Sequence, residues 1–214
     1  MKRATTQTLS IAWRAAIVLL TLQVAAVSAL RYFTASGEAP EFILSNAFAN
    51  PFLVIHVAGG IVALLVGPLQ FVRGIRAKMP ALHRATGRIY VGACAIGAPA
   101  GLMLAIGTEA GPIAGTGFAV AALLWPLFTF LGVRAAIERR LAEHREWMIR
   151  SYAITANAIT LRLMLPLAGV LGFDFFAAYS VIAWISWIAN LVLAEIYLRR
   201  TRVFRIAETR LATA

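Results

Sequence analysis

The chain has 214 residues, of which 61% are hydrophobic and 14% charged, and its mean hydropathy is +0.80. Soluble domains run about 45–50% apolar and about 25% charged, so a soluble fold and a disordered chain are both excluded. The net charge of +11 does not point to nucleic acid, because the basic residues lie between apolar stretches and not on a folded reading face.

Taken in chain order, apolar stretches cover residues 11–30, 51–72, 89–107, 113–133, 148–172 and 174–197. Each is long enough to cross about 30 Å of hydrocarbon as a helix. The connections are 31–50, 73–88, 108–112, 134–147 and a turn at Asp174. Backbone polar groups in a bilayer must be satisfied internally, and these stretches do not alternate as barrel strands do. The expected fold is all-α: a polytopic bundle of six transmembrane helices. Residues 1–214 form a single integral membrane domain, with a core motif region at about 50–197 and a basic tail at 198–214. The first stretch has features of a signal peptide, with Lys2, Arg3 and Arg14 ahead of it and Val27-Ser28-Ala29 near its end. Its length favours an uncleaved helix.

Lys and Arg placement sets orientation. Of the 20 basic residues, 18 lie in the N-terminal segment, the second and fourth connections with their flanks, and the tail. Arg31 lies on the opposite side and Arg162 lies inside a span. Both termini are therefore expected on the cytoplasmic side (N-in/C-in), where the basic rim attracts anionic lipid headgroups. The lone cysteine, Cys94, reads as a packing residue, since one thiol builds neither an internal disulfide nor a cysteine metal site.

Polar side chains within spans need an explanation. His56, Gly60, Ala63, Gly67, Gln70 and Gly74 recur at steps of four and three, one helical face of small residues with a polar group near each end. His144, Ser151, Thr155, Ala158 and Arg162 form a second stripe. Arg162 is too deep to snorkel, so it needs a buried partner, a wet cavity or an anionic ligand group, with helix carbonyls, Asn157 or Asn190 as structural alternatives. Trp125, Trp184 and Trp187 sit mid-span, filling space or walling a flat ring, whereas Trp13 and Trp147 suit the interfaces. Glu143 and Glu146 are expected to pair with Arg139, Arg140 and Arg150.

A signature recurs where basic connections enter spans three and five. His83-Arg84-Ala-Thr-Gly87-Arg88-Ile-Tyr90 compares with His144-Arg145-Glu-Trp147-Met148-Ile-Arg150-Ser-Tyr152. Two parallel hairpins related by an axis along the membrane normal would bring His83 and His144 together at the cytoplasmic side. These motifs, with His56-Val-Ala-Gly59-Gly60, Gly67-Pro68-Leu-Gln70-Phe71 and Leu161-Arg162, resemble a bacterial family of predicted membrane proteins classed as a domain of unknown function, over roughly 50–195. That resemblance implies a multi-pass protein of the bacterial inner (plasma) membrane and carries no activity.

The chain also resembles, more weakly, cytochrome b561-like six-helix proteins, in which spans three and five share a haem. That resemblance implies a b-type haem on His83 and His144, with Arg84 or Arg145 meeting its propionates and quinone as an electron partner. The second histidine pair of that family is missing here, since His56 has no counterpart.

Three functions are therefore carried forward. One is haem-linked electron transfer near the cytoplasmic face. Another is a small transporter of protons or an anionic solute using His56 and Arg162, with Gln70 a further intramembrane polar group. The third is a structural or lipid-binding subunit of a larger membrane assembly. No hydrolase, kinase or zinc-protease motif is present.

Overall fold

The computed structural model describes the backbone of residues 2–34 and 40–212 and the side chains of residues 17–34 and 40–201. All regular structure among them is helical: α1 (Lys2–Phe33), α2 (Glu41–Leu44), α3 (Ala49–Val66), a 3-10 turn (Pro68–Phe71), α4 (Arg73–Lys78), α5 (Pro80–Ile106), α6 (Pro112–Ile137), α7 (Leu141–Thr155), α8 (Asn157–Val170) and α9 (Phe175–Ala212). Five described stretches are long and apolar enough to span a membrane: Ala49–Phe71, Pro80–Ile106, Pro112–Ile137, Leu141–Val170 and Phe175–Thr201. The expected first span lies partly outside the described side chains. Its described part, Ile17–Phe33, is a shorter apolar helix. Large apolar side chains such as Leu19, Ile96, Phe130 and Leu193 face outward, as lipid contact requires.

Prolines punctuate the chain. The 3-10 turn, α5 and α6 each begin with one, where its missing N–H would have had no helical partner anyway. Asn50 is extended (φ −101°, ψ 124°) because the ring of Pro51 crowds the residue before it. Helices α6 and α8 close in the same way, each with a left-handed residue after the last turn. At α8 this is Gly172 (φ 79°), with its N–H on Gly169 O (3.0 Å) and the Phe173 N–H on Ala168 O (3.1 Å). At α6 the equivalent residue is Arg139 (φ 59°).

Several boundaries differ from expectation. Helix α5 starts at Pro80 and not at 89, α6 continues to Ile137 past 133, and α7 starts at Leu141 and not at 148. Apolar windows mark the hydrocarbon only. Arg is a good helix former, so the helices run on through Arg84, Arg88, Arg134 and Arg145 into the polar zone. The fifth span, expected over 148–172, covers Leu141–Val170 and is interrupted at Ala156 between α7 and α8.

That interruption organises the bundle. Packed pairs α1–α3, α3–α5, α5–α6, α6–α9, α9–α8 and α8–α1 close a ring. Helix α7 packs against α6, α9 and α3, filling the middle of the half that carries the basic connections. Past Ala156 the chain leaves the centre, and α8 takes a place in the ring beside α9 and α1. The described basic connections meet at one end, where Arg150 of α7 donates to Glu195 of α9 at 2.5 and 3.2 Å.

The most extensive helix pair, α3–α5, turns a slightly different face inward from the expected stripe. Gly59, not Gly60, meets α5: a Cβ there would lie 2.9 Å from Ala93 O and 3.0 Å from Gly97 Cα. Gly60 and Gly74 have nothing within 4 Å of an added Cβ. Gly59→Ala must therefore push two backbones apart, at about 1–3 kcal/mol. Gly60→Ala should be neutral or stabilising by up to about 1 kcal/mol through helix propensity. Thermal melts of the two variants in detergent check this contrast.

Candidate functional site

Three polar centres lie along the bundle. The central one is a buried hydrogen-bond chain. Trp125 Nε1–H donates to Thr155 Oγ1 (2.9 Å), and the Tyr90 hydroxyl lies 2.8 Å from both Thr155 Oγ1 and Ser151 Oγ. Ser151 Oγ is 2.7 Å from Thr129 Oγ1, which donates back to the Trp125 carbonyl at 2.8 Å. One set of directions lets every hydroxyl donate once: Trp125 to Thr155, Thr155 to Tyr90, Tyr90 to Ser151, Ser151 to Thr129, Thr129 to Trp125. All five side chains are buried. The chain joins α5, α6 and α7, and Ser151 and Thr155 hold their stripe to the core.

Below this chain, where α8 diverges, the ring encloses a cavity of about 540 Å³. Trp125 and Thr155 close one end, and Phe42 of α2 lies toward the other, edge-on to Phe175 and Tyr179 with ring centroids 5.3 and 5.5 Å away. His56, Asn157 and Arg162 line it, and so does Arg31 from the last turn of α1. The two basic residues left over by the orientation count thus share one cavity. Arg162 Nη1 donates to Ala158 O at 3.0 Å, and among the described residues no carboxylate lies within ion-pair distance of it. Its nearest electrostatic neighbours are Tyr32, Arg31 and Tyr179. Asn190, a possible mate, is instead tied to Thr160 (2.9 Å) and Ala153 O (3.2 Å).

His56 is fixed by α5. Its Nδ1 lies 2.9 Å from Gly97 O. A carbonyl only accepts, so Nδ1 carries the proton and Nε2 keeps its lone pair. Gly101 makes the room, because a Cβ there would sit 2.7 Å from His56 Nδ1. The glycines Gly97 and Gly101, four apart on one face, were the sequence signal for this seat. Asn157 Oδ1 is buried without a hydrogen-bond partner, an acceptor that asks for a donor from an occupant or water. Trp184, in contrast, donates to Ile113 O (2.9 Å), and neither it nor Trp187 lines the cavity.

The third centre is the basic end. His83 lies near enough to His144 to feel its charge. His144 Nδ1 lies 2.8 Å from Gly132 O. Gln70 is best satisfied with its amide nitrogen donating to His83 Nδ1 (3.0 Å) and its oxygen accepting from Thr86 Oγ1 (2.6 Å). Arg134 and Arg140 hydrogen-bond Glu138, and hold its carboxyl below the ordinary range. Glu143 pairs with Arg140 as expected. Arg150, expected to pair with Glu143 or Glu146, pairs with Glu195, because α9 brings a carboxylate across the helix contact.

Residues 53–198 match the family model described as Predicted membrane protein (DUF2306). The chain belongs to this family. The DUF2306 region contains His56, Gln70, His83, His144 and Arg162, whereas Arg31 and α2 lie ahead of it. As a DUF2306 member with several apolar helices, the protein is an integral membrane protein. The comparisons with curated proteins and with solved structures gave no match.

The basic end does not fit a haem shared by two histidines. His144 has the arrangement of a metal ligand, with Nδ1–H on a carbonyl and Nε2 open. His83 has the reverse: Nδ1 accepts from Gln70, which puts the proton on Nε2. The cavity at this end, about 460 Å³, is lined by Arg145 but by neither histidine nor by Arg84. Among the described residues no group of three or more His, Cys, Asp or Glu could hold a metal ion. The purified protein is expected to show no Soret band; a band lost in both His83→Ala and His144→Ala would overturn that assignment.

Tyr90→Phe tests the central chain. It removes the hydroxyl that serves Thr155 and Ser151 and leaves both short of a partner. The expected loss is about 1–3 kcal/mol, read as a lower melting temperature in detergent.

Proposed function

We propose that this protein is a small membrane carrier for an anionic solute with an apolar body, bound in the cavity between α1, α3, α5, α6, α8 and α9. In this reading the chain forms a single domain of six spans in a bacterial inner membrane, with its basic end cytoplasmic and the cavity in the outer half. The observation that carries it is Arg162, set in a mostly apolar cavity beside Arg31 with no carboxylate partner among the described residues. A guanidinium withdrawn from water is costly until a negative charge meets it. A carboxylate or phosphate group supplies that charge, and the guanidinium fork can bind it with two parallel hydrogen bonds.

The remaining polar groups describe the rest of the ligand. Asn157 Oδ1 needs a hydrogen-bond donor. His56 Nε2 can accept from the ligand when neutral, or take a proton and donate to it when the anion arrives. Trp125, Phe118 and Tyr179 provide the apolar wall. Binding an anion together with a proton at His56 would allow the pair to move as a neutral unit.

Tryptophan fluorescence of the purified protein in nanodiscs provides the assay, since Trp125 lines the site. Octanoate should quench it saturably, and octanamide, which lacks the charge, should bind much more weakly. Charge-assisted hydrogen bonds contribute about 1.5–3 kcal/mol, so Arg162→Gln should weaken octanoate binding roughly 10- to 150-fold, and Arg162→Lys by less. Equal binding of the acid and the amide, or octanoate binding unchanged in Arg162→Gln, sinks the proposal. A quinone analogue that binds independently of Arg162 would support the redox reading in its place.

A further inference from the structure

At the basic end, α4 contributes Arg73 and Arg76, α7 contributes Arg145, and all three line one cavity of about 460 Å³. Among the described residues, three other arginines at this end are matched, Arg134 and Arg140 with Glu138, Arg140 also with Glu143, and Arg150 with Glu195, whereas Arg84, Arg88 and Arg139 show no such pair. Among the described residues, the ion pairs found include none to Arg73, Arg76 or Arg145. Arg145 donates to the Tyr197 hydroxyl (2.8 Å), which fixes its guanidinium at the rim. The other wall is apolar. Phe71 packs edge-on against Tyr152 at 5.7 Å, and Ile149 lies beside them. Phe71 and Tyr197 remain 37% and 49% exposed, so the cavity opens outward between them.

We infer that this cavity is a binding site for a phosphate group, and that the apolar wall favours one carried on an acyl chain, an anionic phospholipid. Three guanidiniums around one opening supply more positive charge and more N–H donors than the single negative charge of a phosphodiester requires, so one can be held there by a bidentate fork. Basic pockets between spans at the membrane surface are the setting in which headgroups are held. The site is separate from the His56–Arg162 cavity and does not depend on its assignment.

The test is native mass spectrometry of the full-length protein, with phosphatidylglycerol, phosphatidylcholine and inorganic phosphate as separate probes. Wild type should retain one phosphatidylglycerol in preference to phosphatidylcholine. Arg73→Gln/Arg76→Gln should reduce that retention at least tenfold while the melting temperature in detergent stays unchanged, which reports that the variant is folded. Arg145→Gln should act in the same direction. A control, Arg84→Gln/Arg88→Gln, removes equal charge outside the cavity and should leave retention intact. Saturable inorganic phosphate binding lost in the first variant supports the phosphate site with a soluble ligand. Equal retention of the two lipids without phosphate binding, or equal loss in the control pair, overturns the site.

Discussion

Burial of the Tyr90 hydroxyl between Ser151 and Thr155 is the constraint on which the rest of the bundle depends. Hydrocarbon offers no water to a stray hydroxyl, so five polar side chains from α5, α6 and α7 must satisfy one another. The chain of donors begins and ends on Trp125, which leaves none of its members in need of an outside partner. It pins the last turns of α7 to the centre of the bundle.

The interruption at Ala156 lies where this core gives way to the cavity. Helix α7 fills the half of the bundle beside the basic connections, and α8 moves out to join the ring in the other half. The space left behind is bounded by Thr155 and Trp125 and receives His56, Asn157, Arg31 and Arg162. Prolines within α6 and α8 fit the same region. Pro126 removes the usual N–H partner of the Ala122 carbonyl, and Pro166 that of the Arg162 carbonyl, both beside the cavity. The hydroxyl chain is thus closed upon itself, whereas the cavity keeps donors and acceptors to spare.

Much of this was legible in the sequence, though in separate pieces. The stripe His144, Ser151, Thr155, Ala158, Arg162 was visible from helical periodicity, and His56 and Arg162 stood out as polar groups within spans. Periodicity assumes an unbroken helix, however. The turn at Ala156 sends Ser151 and Thr155 into the core and Arg162 into the cavity, so the stripe serves two ends. On the small-residue face of α3, Ala63, Gly67 and Gln70 are buried as the stripe has them, but Gly59 and not Gly60 is the residue that meets Gly97 of α5. Arg31 and Asn157 were seen as an orientation marker and a possible mate, and their place in the cavity follows from the contacts of α1 and α8. For the paired histidine motifs, the sequence carried no sign of the different partners, Gln70 on His83 and the Gly132 carbonyl on His144.

What the sequence alone determined is the membrane class and the separation of charge. Both are sums over local composition: a run of apolar residues needs no partner to partition into lipid, and basic residues between such runs need only an interface. Tertiary structure decided which leftover groups meet. Whether Arg162 faces a carboxylate, a carbonyl or an open cavity depends on where α1, α3 and α8 lie around it. That depends in turn on a hydroxyl chain whose members are 65 positions apart at their widest. Hydropathy carries no information about such pairings, because each side chain's partner is chosen by the packing of other helices.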